Sequence, residues 1–491
     1  MSIVQRFICR IDSLDRKSLG EFSVVRQLEL ETLKSKPLES DNLKSKNSII
    51  EYSGLKRKEG PCAFEPHTLK AEVSGLSGIP YVLPGELVEV EEHCYRQQTS
   101  FVVSRILEKS PNRADPPCKY FTICGGCSLQ HLKTKPSNYY YQHKLQILKN
   151  SLKNRGIECY VDKVISTDAE TSRDGNNAET YNVRRRVIFE AVKKCDQVFL
   201  GFKKYHSNQI VNIDSCLLLL PELSDLIEKL KNILEKILSD KEKCKILLTK
   251  AENGIDLIIE VDASFKILQE KIILIEEFCI NNSIIKATIV ADNKWNMVYF
   301  SQQPYVIFGD AKIAVNSYSF LQVSKISDSI LAELISKVIG KVSLDLNKEL
   351  KIIDLFCGRG TLTVPAAQFG KVDGFEIDKD SVKSLKDAAV YNINNLYVRN
   401  LFINPVGWDE LSRYDVAIIN PPRAGAKEQS KLLAQSMVKF IIYLSCDVES
   451  FARDAAIITQ DKRYILKEIT PIDQFYWSSH LEVFAVFLFC S

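Results

Sequence analysis

The chain has 491 residues, of which 45% are hydrophobic and 26% charged, with 65 Lys and Arg against 62 Asp and Glu. That length exceeds one ordinary core and fits about three units, and no apolar run reaches the roughly 18 residues that span a bilayer. The net charge of +3 is too small to establish a nucleic-acid partner, which must be sought as a local patch.

Near the start, Arg6 and Arg10 are closely followed by Asp12 and Asp15, so the pattern lacks a signal-peptide core and a cytoplasmic protein without membrane contact is expected. Residues 1–66 read as a polar extension or insertion, with Leu33 to Asn47 resembling a linker. From 67 to 113 short β-type runs (Tyr81–Leu83, Leu87–Val90, Ser100–Ile106) are broken by Gly75, Gly78, Pro84 and Gly85, which predicts a small β-barrel of the kind that binds RNA.

Fourteen cysteines in a cytosolic chain of this size point to metal, catalysis or core packing rather than disulfides. Cys118, Cys124 and Cys127 form a tight group whose Gly125-Gly126 pair lets the chain fold round a ligand; thiolates select zinc or iron–sulfur. Spacing alone leaves the fourth ligand open between Cys159, Cys195 and Cys216.

Leu132 to Arg155 carries six Lys or Arg, three consecutive tyrosines and no acid, a composition suited to phosphates and stacked bases. The same stretch also suits an exposed amphipathic helix with a solvated face. Arg184, Arg185, Arg186, Lys203 and Lys204 extend the basic surface. Helical stretches (Leu223–Leu238, Ile326–Ile339) then alternate with strand-like ones (Ile246–Leu248, Leu257–Val261, Ala287–Val290), so residues 114–345 are expected to form a central α/β domain.

Residues 346–491 repeat strand, turn and helix: Ile352–Phe356, Val364–Gln368, Val372–Glu376, Ser381–Asn392, Val416–Ile419, Ile441–Leu444. Apolar strands interleaved with helices predict a parallel, Rossmann-like sheet covered on both faces. Asp354-Leu-Phe-Cys-Gly-Arg-Gly360 closes the first strand, and Glu376 closes the next. Glycines admit a ligand close to the backbone, and the carboxylate can accept both hydroxyls of a ribose. Thr363 stands where a dinucleotide fingerprint has its third glycine, which favours a nucleoside without pyrophosphate, such as S-adenosylmethionine. Alone, such a turn is also found as a purely structural βαβ connection.

Asn420-Pro-Pro-Arg-Ala-Gly425 follows the strand ending at Ile419, a stiff platform that can hold a planar base. Tyr443-Leu-Ser-Cys446 puts a thiol at the end of another strand of that sheet. Uracil C5 is a poor nucleophile until something adds to C6, and a thiolate suits that role. Glu482 is the candidate base for the C5 proton, with His480 the alternative.

These motifs in this order, with Ala452-Arg-Asp454 and His480-Leu-Glu482, resemble the uracil-5 RNA methyltransferase family over about residues 68–489. The resemblance implies a class I enzyme that uses S-adenosylmethionine to form 5-methyluridine, with Cys446 as nucleophile and Glu482 as base. It implies cofactor contacts from Gln322, Phe356, Thr361, Glu376 and Asn420. Members similar in the cysteine loop place the last ligand in a segment like Val211-Asn-Ile-Asp-Ser-Cys216 and carry a 4Fe–4S cluster, which implies Cys118, Cys124, Cys127 and Cys216 as its ligands. Tyr81-Val-Leu-Pro-Gly-Glu86 resembles the small TRAM RNA-binding domain. The domain set is similar to members acting on 23S ribosomal RNA, with transfer RNA, cytosine-5 chemistry or a non-catalytic RNA-binding role as alternatives; no obligate protein partner is inferred. Two departures stand out: Asn420, where the family usually has Asp, and Asp447-Val448, where it usually has Asn-Pro.

Overall fold

The computed structural model describes residues 2–28, 78–95, 98–167, 183–205, 207–263, 265–316, 318 and 320–490. It divides into two compact units, Met1–Arg113 and Ala114–Ser491. Among the described residues no helix is long and apolar enough to cross a membrane.

The first unit is a four-stranded sheet of β1 (Ser2–Leu14), β2 (Gly20–Leu28), β3 (Leu87–Tyr95) and β4 (Gln98–Glu108), in the order β2-β1-β3-β4. Cys9 and Ile11 of β1 alternate inward and meet Val88 and Val90 of β3 in one apolar cluster. The expected start at residue 67 is therefore corrected, because residues 2–28 supply half of this sheet and are not an extension. The putting-together is long-range, with Arg10 opposite Leu87, so no local pattern announces it. The linker-like stretch Leu33–Asn47 and Gly75 lie outside the described residues.

Tyr81–Leu83, expected as strand, is a turn. Tyr81 (φ 63) and Gly85 (φ 82) take left-handed conformations there. Buried Glu86 closes the turn by accepting from the Leu83 N–H at 2.8 Å and from Arg113 Nε and Nη2 at 2.5 and 2.7 Å. A buried carboxylate is tolerated when its hydrogen bonds are made in this way.

The second unit holds two large sheets. Its central sheet contains β6 (Arg186–Lys194), β7 (Gln197–Lys203), β8 (Ile210–Asn212), β9 (Lys243–Ala251), β10 (Gly254–Val261), β11 (Ile284–Ala291) and β12 (Lys294–Phe300), ordered β12-β11-β10-β9-β6-β7-β8. The helix Leu226–Ile237 covers one face, its Leu226, Ile227, Leu230, Ile233, Leu234 and Ile237 at helical spacing joining the core of that sheet. A short hairpin, β13 (Tyr305–Phe308) and β14 (Ala311–Ala314), leads to the helix Lys325–Leu346.

The C-terminal sheet contains β5 (Ile165–Ser166), β15 (Leu350–Leu355), β16 (Gly370–Glu376), β17 (Ile393–Val398), β18 (Val416–Ile419), β19 (Phe440–Ser445), β20 (Tyr464–Asp473) and β21 (Glu482–Phe489). The order is β17-β16-β15-β18-β19-β21-β20-β5. Strands β15 to β19 run parallel, and β21 returns antiparallel to β19. Every residue of β18 is buried, as a sheet covered on both faces requires. The winding direction reverses between β15 and β18, which makes the carboxyl edge there the switch point where open α/β sheets bind ligands.

The expected boundary at 345/346 falls between these two sheets, which belong to the one compact unit Ala114–Ser491. The helix Tyr139–Lys153 buries Leu148 and Leu152 in the C-terminal core, and β5 extends the C-terminal sheet. Two members of the basic, tyrosine-rich stretch lie inside the fold, while Lys135, Lys153 and Arg155 are exposed. Tyr140 and Lys144 are fully buried: Lys144 Nζ pairs with Asp473 and Tyr140 Oη donates to the same carboxylate at 2.8 Å. They hold the fold and cannot stack on bases.

Candidate active site

The turn after β15 builds the ligand edge. Phe356 (φ 62), Gly358 (φ 55) and Gly360 (φ 97) are all left-handed, a conformation that side chains resist. A Cβ on Gly360 would come within 2.7 Å of Leu385, whereas one on Gly358 would meet nothing within 4 Å. The first glycine therefore faces open space and the second packs the helix. Glu376 steadies the turn: its Oε2 accepts the Gly358 N–H at 3.0 Å and its Oε1 accepts from Ile377 and Asp378. Asp354 lies fully buried beneath, accepting from Thr363 Oγ1 at 2.6 Å, and burial pushes its carboxyl up to about 7.

Phe356 and Thr361 are half-buried at this turn, and Phe356 lies 5.4 Å from the Phe402 ring. Gln322 is buried next to Leu321, which packs in one cluster with Cys357. Arg359 secures that approach by donating to the carbonyls of Ala314 and Asn316. An open glycine turn beside a carboxylate and an aromatic ring fits a positively charged sulfonium nucleoside.

Asn420 begins the platform after β18, its N–H donating to the Leu355 carbonyl at 3.1 Å. Asp454, fully buried, braces the platform against the nucleophile's strand: Oδ2 accepts from the Ala426 N–H at 2.7 Å and from Tyr443 Oη at 2.6 Å. Arg453 adds a bond from Nη2 to the Ala424 carbonyl at 2.9 Å. The Ala452-Arg-Asp454 motif thus acts through two loops that the sequence separates.

Cys446 and Glu482 meet at the same edge. Ser445 of β19 is paired with Val483 of β21, so Cys446, one step on, stands opposite Glu482, one step back. Burial pushes the Cys446 thiol up to about 11, and the Glu482 charge adds to that while Arg423 opposes it. Burial pushes Glu482 up to about 8, against a hydrogen bond from Gln474 Nε2 at 2.5 Å that favours the carboxylate. His480 is held below its ordinary value by burial and then by Arg423. Asp447 caps the following helix, accepting from the Ser450 N–H at 2.8 Å. Arg423 sits inside a motif read for its prolines, while Gln474 lies eight residues from Glu482 and no sequence signal joins them.

Cys118, Cys124, Cys127 and Cys216 line one cavity of about 300 Å³ with Arg184 and Trp477, so the structure gathers all four expected ligands; Cys159 and Cys195 do not line it. Burial raises the thiols of Cys124, Cys127 and Cys216, and their mutual charge adds to it. Among the described residues no three His, Cys, Asp or Glu side chains are grouped to hold a single metal ion. Together with Cys118, the thiols of Cys124, Cys127 and Cys216 form a donor set that a cationic group would complete.

No family model matches the sequence. An RNA methyltransferase of Mesorhizobium japonicum, itself uncharacterized, is 31% identical over 417 residues, covering 84% of this chain and 93% of that one. The chain belongs to the RNA methyltransferase family. The methyltransferase is also similar to the 23S rRNA (uracil(1939)-C(5))-methyltransferase of Francisella tularensis subsp. novicida, at 29% identity over 83% of this chain and 91% of that one. Its fold is shared by the Pyrococcus abyssi tRNA (uracil-54, C5)-methyltransferase solved with S-adenosyl-L-homocysteine, with a TM-score of 0.58 at 20% identity, covering 83% and 95% of the two chains.

Proposed function

We propose that this methyltransferase forms 5-methyluridine in RNA, with 23S ribosomal RNA as its substrate, through transient covalent addition of Cys446 to the uracil ring. The observation that carries the reading is the juxtaposition of Cys446 and Glu482 across the β19–β21 ladder, at the edge that also bears the glycine turn.

S-adenosylmethionine, when bound, supplies the methyl group. Gln322, Phe356, Thr361, Glu376 and Asn420 are the residues that would hold it. Cys446, as thiolate, adds to C6 and makes C5 electron-rich; Arg423 lowers the cost of that thiolate. After methylation Glu482 takes the C5 proton, the C–H pair restores the C5–C6 double bond, and Cys446 leaves. A stacked uridine cannot reach this edge, so the base is flipped out.

Cys118, Cys124, Cys127 and Cys216 are the residues that would hold a 4Fe–4S cluster. Four thiols lining one cavity suit such a cluster, with zinc the competing ion. Bound there, the cluster would supply a structural cross-link, since methyl transfer requires no electron. Residues 2–113 serve as an RNA-binding unit. The test is to incubate ribosomal and transfer RNA with labelled S-adenosylmethionine and identify the nucleoside: 5-methyluridine in 23S RNA supports the reading, and 5-methylcytidine alone rejects it.

A further inference from the structure

Glu482 must hold a negative charge before it acts and a proton afterwards, while buried in the fold. Its exposure is 2%, and that of Gln474 is 3%. Ile472 of β20 is the ladder partner of Glu482, and Gln474 follows the last residue of β20 within hydrogen-bond reach of the base. One end of its amide is engaged, Nε2 donating to Glu482 Oε2 at 2.5 Å. The other end, Oε1, is buried with no hydrogen-bond partner among the described residues. An acceptor left bare in this way costs free energy, and evolutionary or structural economy would favour an apolar side chain unless the acceptor is used. The neighbouring Asp473 cannot serve the base instead, because it is committed to Lys144 and Tyr140. The titratable group that faces Glu482 across the β19–β21 ladder is Cys446, whose thiol the Glu482 charge helps to raise.

We propose that Gln474 is the positioning residue of the catalytic base, its amide donating to the carboxylate before proton transfer and, after a half-turn, accepting from the carboxylic acid that results. An amide presents one donor and one acceptor at the same reach, so it can serve both protonation states without moving the backbone. In the step it serves, the C5–H bond breaks and the proton goes to the Glu482 carboxylate. The C–H electron pair becomes the C5–C6 double bond, and the C6–S pair returns to Cys446 as thiolate. The bare Oε1 is the place where the new O–H donates. This inference rests on the covalent mechanism proposed above.

The experiment compares wild-type protein with Gln474→Met, which keeps the volume and removes both polar ends, and Gln474→Asn, which draws the amide back by one carbon. On 5-fluorouridine RNA with S-adenosylmethionine no C5 proton is removed, so wild type and variants should form the covalent adduct at the same rate; this reports folding and the first half of the reaction. On uridine RNA the variants should lose roughly 10–100-fold in kcat, the scale of one hydrogen bond to a buried charge. KM should stay within about twofold, methylated enzyme–RNA complex should accumulate, and the acid limb of the rate profile should move to higher pH. Failure of the wild type itself to form the fluorouridine adduct rejects the covalent mechanism. A wild-type adduct with variants that turn over uridine RNA normally, on an unmoved limb, rejects the role of Gln474. Loss of the fluorouridine adduct in both variants also rejects it, because the residue would then serve the fold or the addition step.

Discussion

Leu129 donates its backbone N–H to the carbonyl of Trp477 at 3.0 Å, and Ser128 donates to the same oxygen at 2.8 Å. The loop that follows Cys127 is thereby tied to the segment that precedes Glu482. Trp477 is buried, lines the cysteine cavity and sits at φ 57, a conformation that a bulky residue keeps only when its surroundings impose it. Its N–H is also fixed, donating to Tyr140 Oη at 2.9 Å. The double variant Cys124→Ser, Cys216→Ser should therefore loosen residues 473–482, read as faster amide hydrogen exchange there than in β18. Unchanged exchange across that segment would show that the cysteine loop does not support the base.

The buried ion pair between Lys144 and Asp473 should be costly to break from one side. Neither side chain is exposed. Lys144→Met alone leaves an uncompensated carboxylate and is expected to cost about 3–5 kcal/mol, measured by denaturant unfolding. Adding Asp473→Asn should recover part of that loss, and a double variant no better than the single one would contradict the pairing.

Asp447 departs from the family pattern, yet its side chain is occupied as a helix cap. Asp447→Asn keeps an acceptor at the cap and removes a charge that disfavours the Cys446 thiolate, so activity should be equal or higher. Asp447→Ala should cost about 1 kcal/mol of stability. A large loss of turnover in Asp447→Asn, with cofactor binding intact, would assign the carboxylate a chemical role.

Glu482 should weigh on stability in a definite pH window. Its folded value of about 8 lies above its ordinary 4.5, so between those limits the folded state binds more protons than the unfolded one. Stability from this group then falls as pH rises through the window, and the penalty is complete above about 8. Glu482→Gln should raise the melting temperature clearly at pH 8.5 and little at pH 4.5, while turnover is lost. Equal melting shifts at both pH values would contradict a carboxyl raised by burial.

Much of the site was legible because its residues come in short, contiguous motifs at strand ends: the turn 354–360, the platform from Asn420, and Cys446. Adjacent strands of a parallel sheet put such ends on one edge, so reading the strands was enough to bring the motifs together. What escaped is long-range. Lys144 looked like a solvated cation because its partner is 329 residues away, and β1 looked like a polar tail because its apolar face is completed by β3. Gln474 is invisible for a third reason: its importance lies in which atom of Glu482 it touches.

Methyl transfer through a covalent adduct depends on the sulfur of Cys446, and the most direct measurement is the mass of the intact protein after reaction with 5-fluorouridine RNA and S-adenosylmethionine, followed by peptide mapping. The expected result is one covalent complex carrying RNA and one methyl group, attached at Cys446 and absent from Cys446→Ala. An adduct at another cysteine, or none from a protein that binds the cofactor, would contradict it.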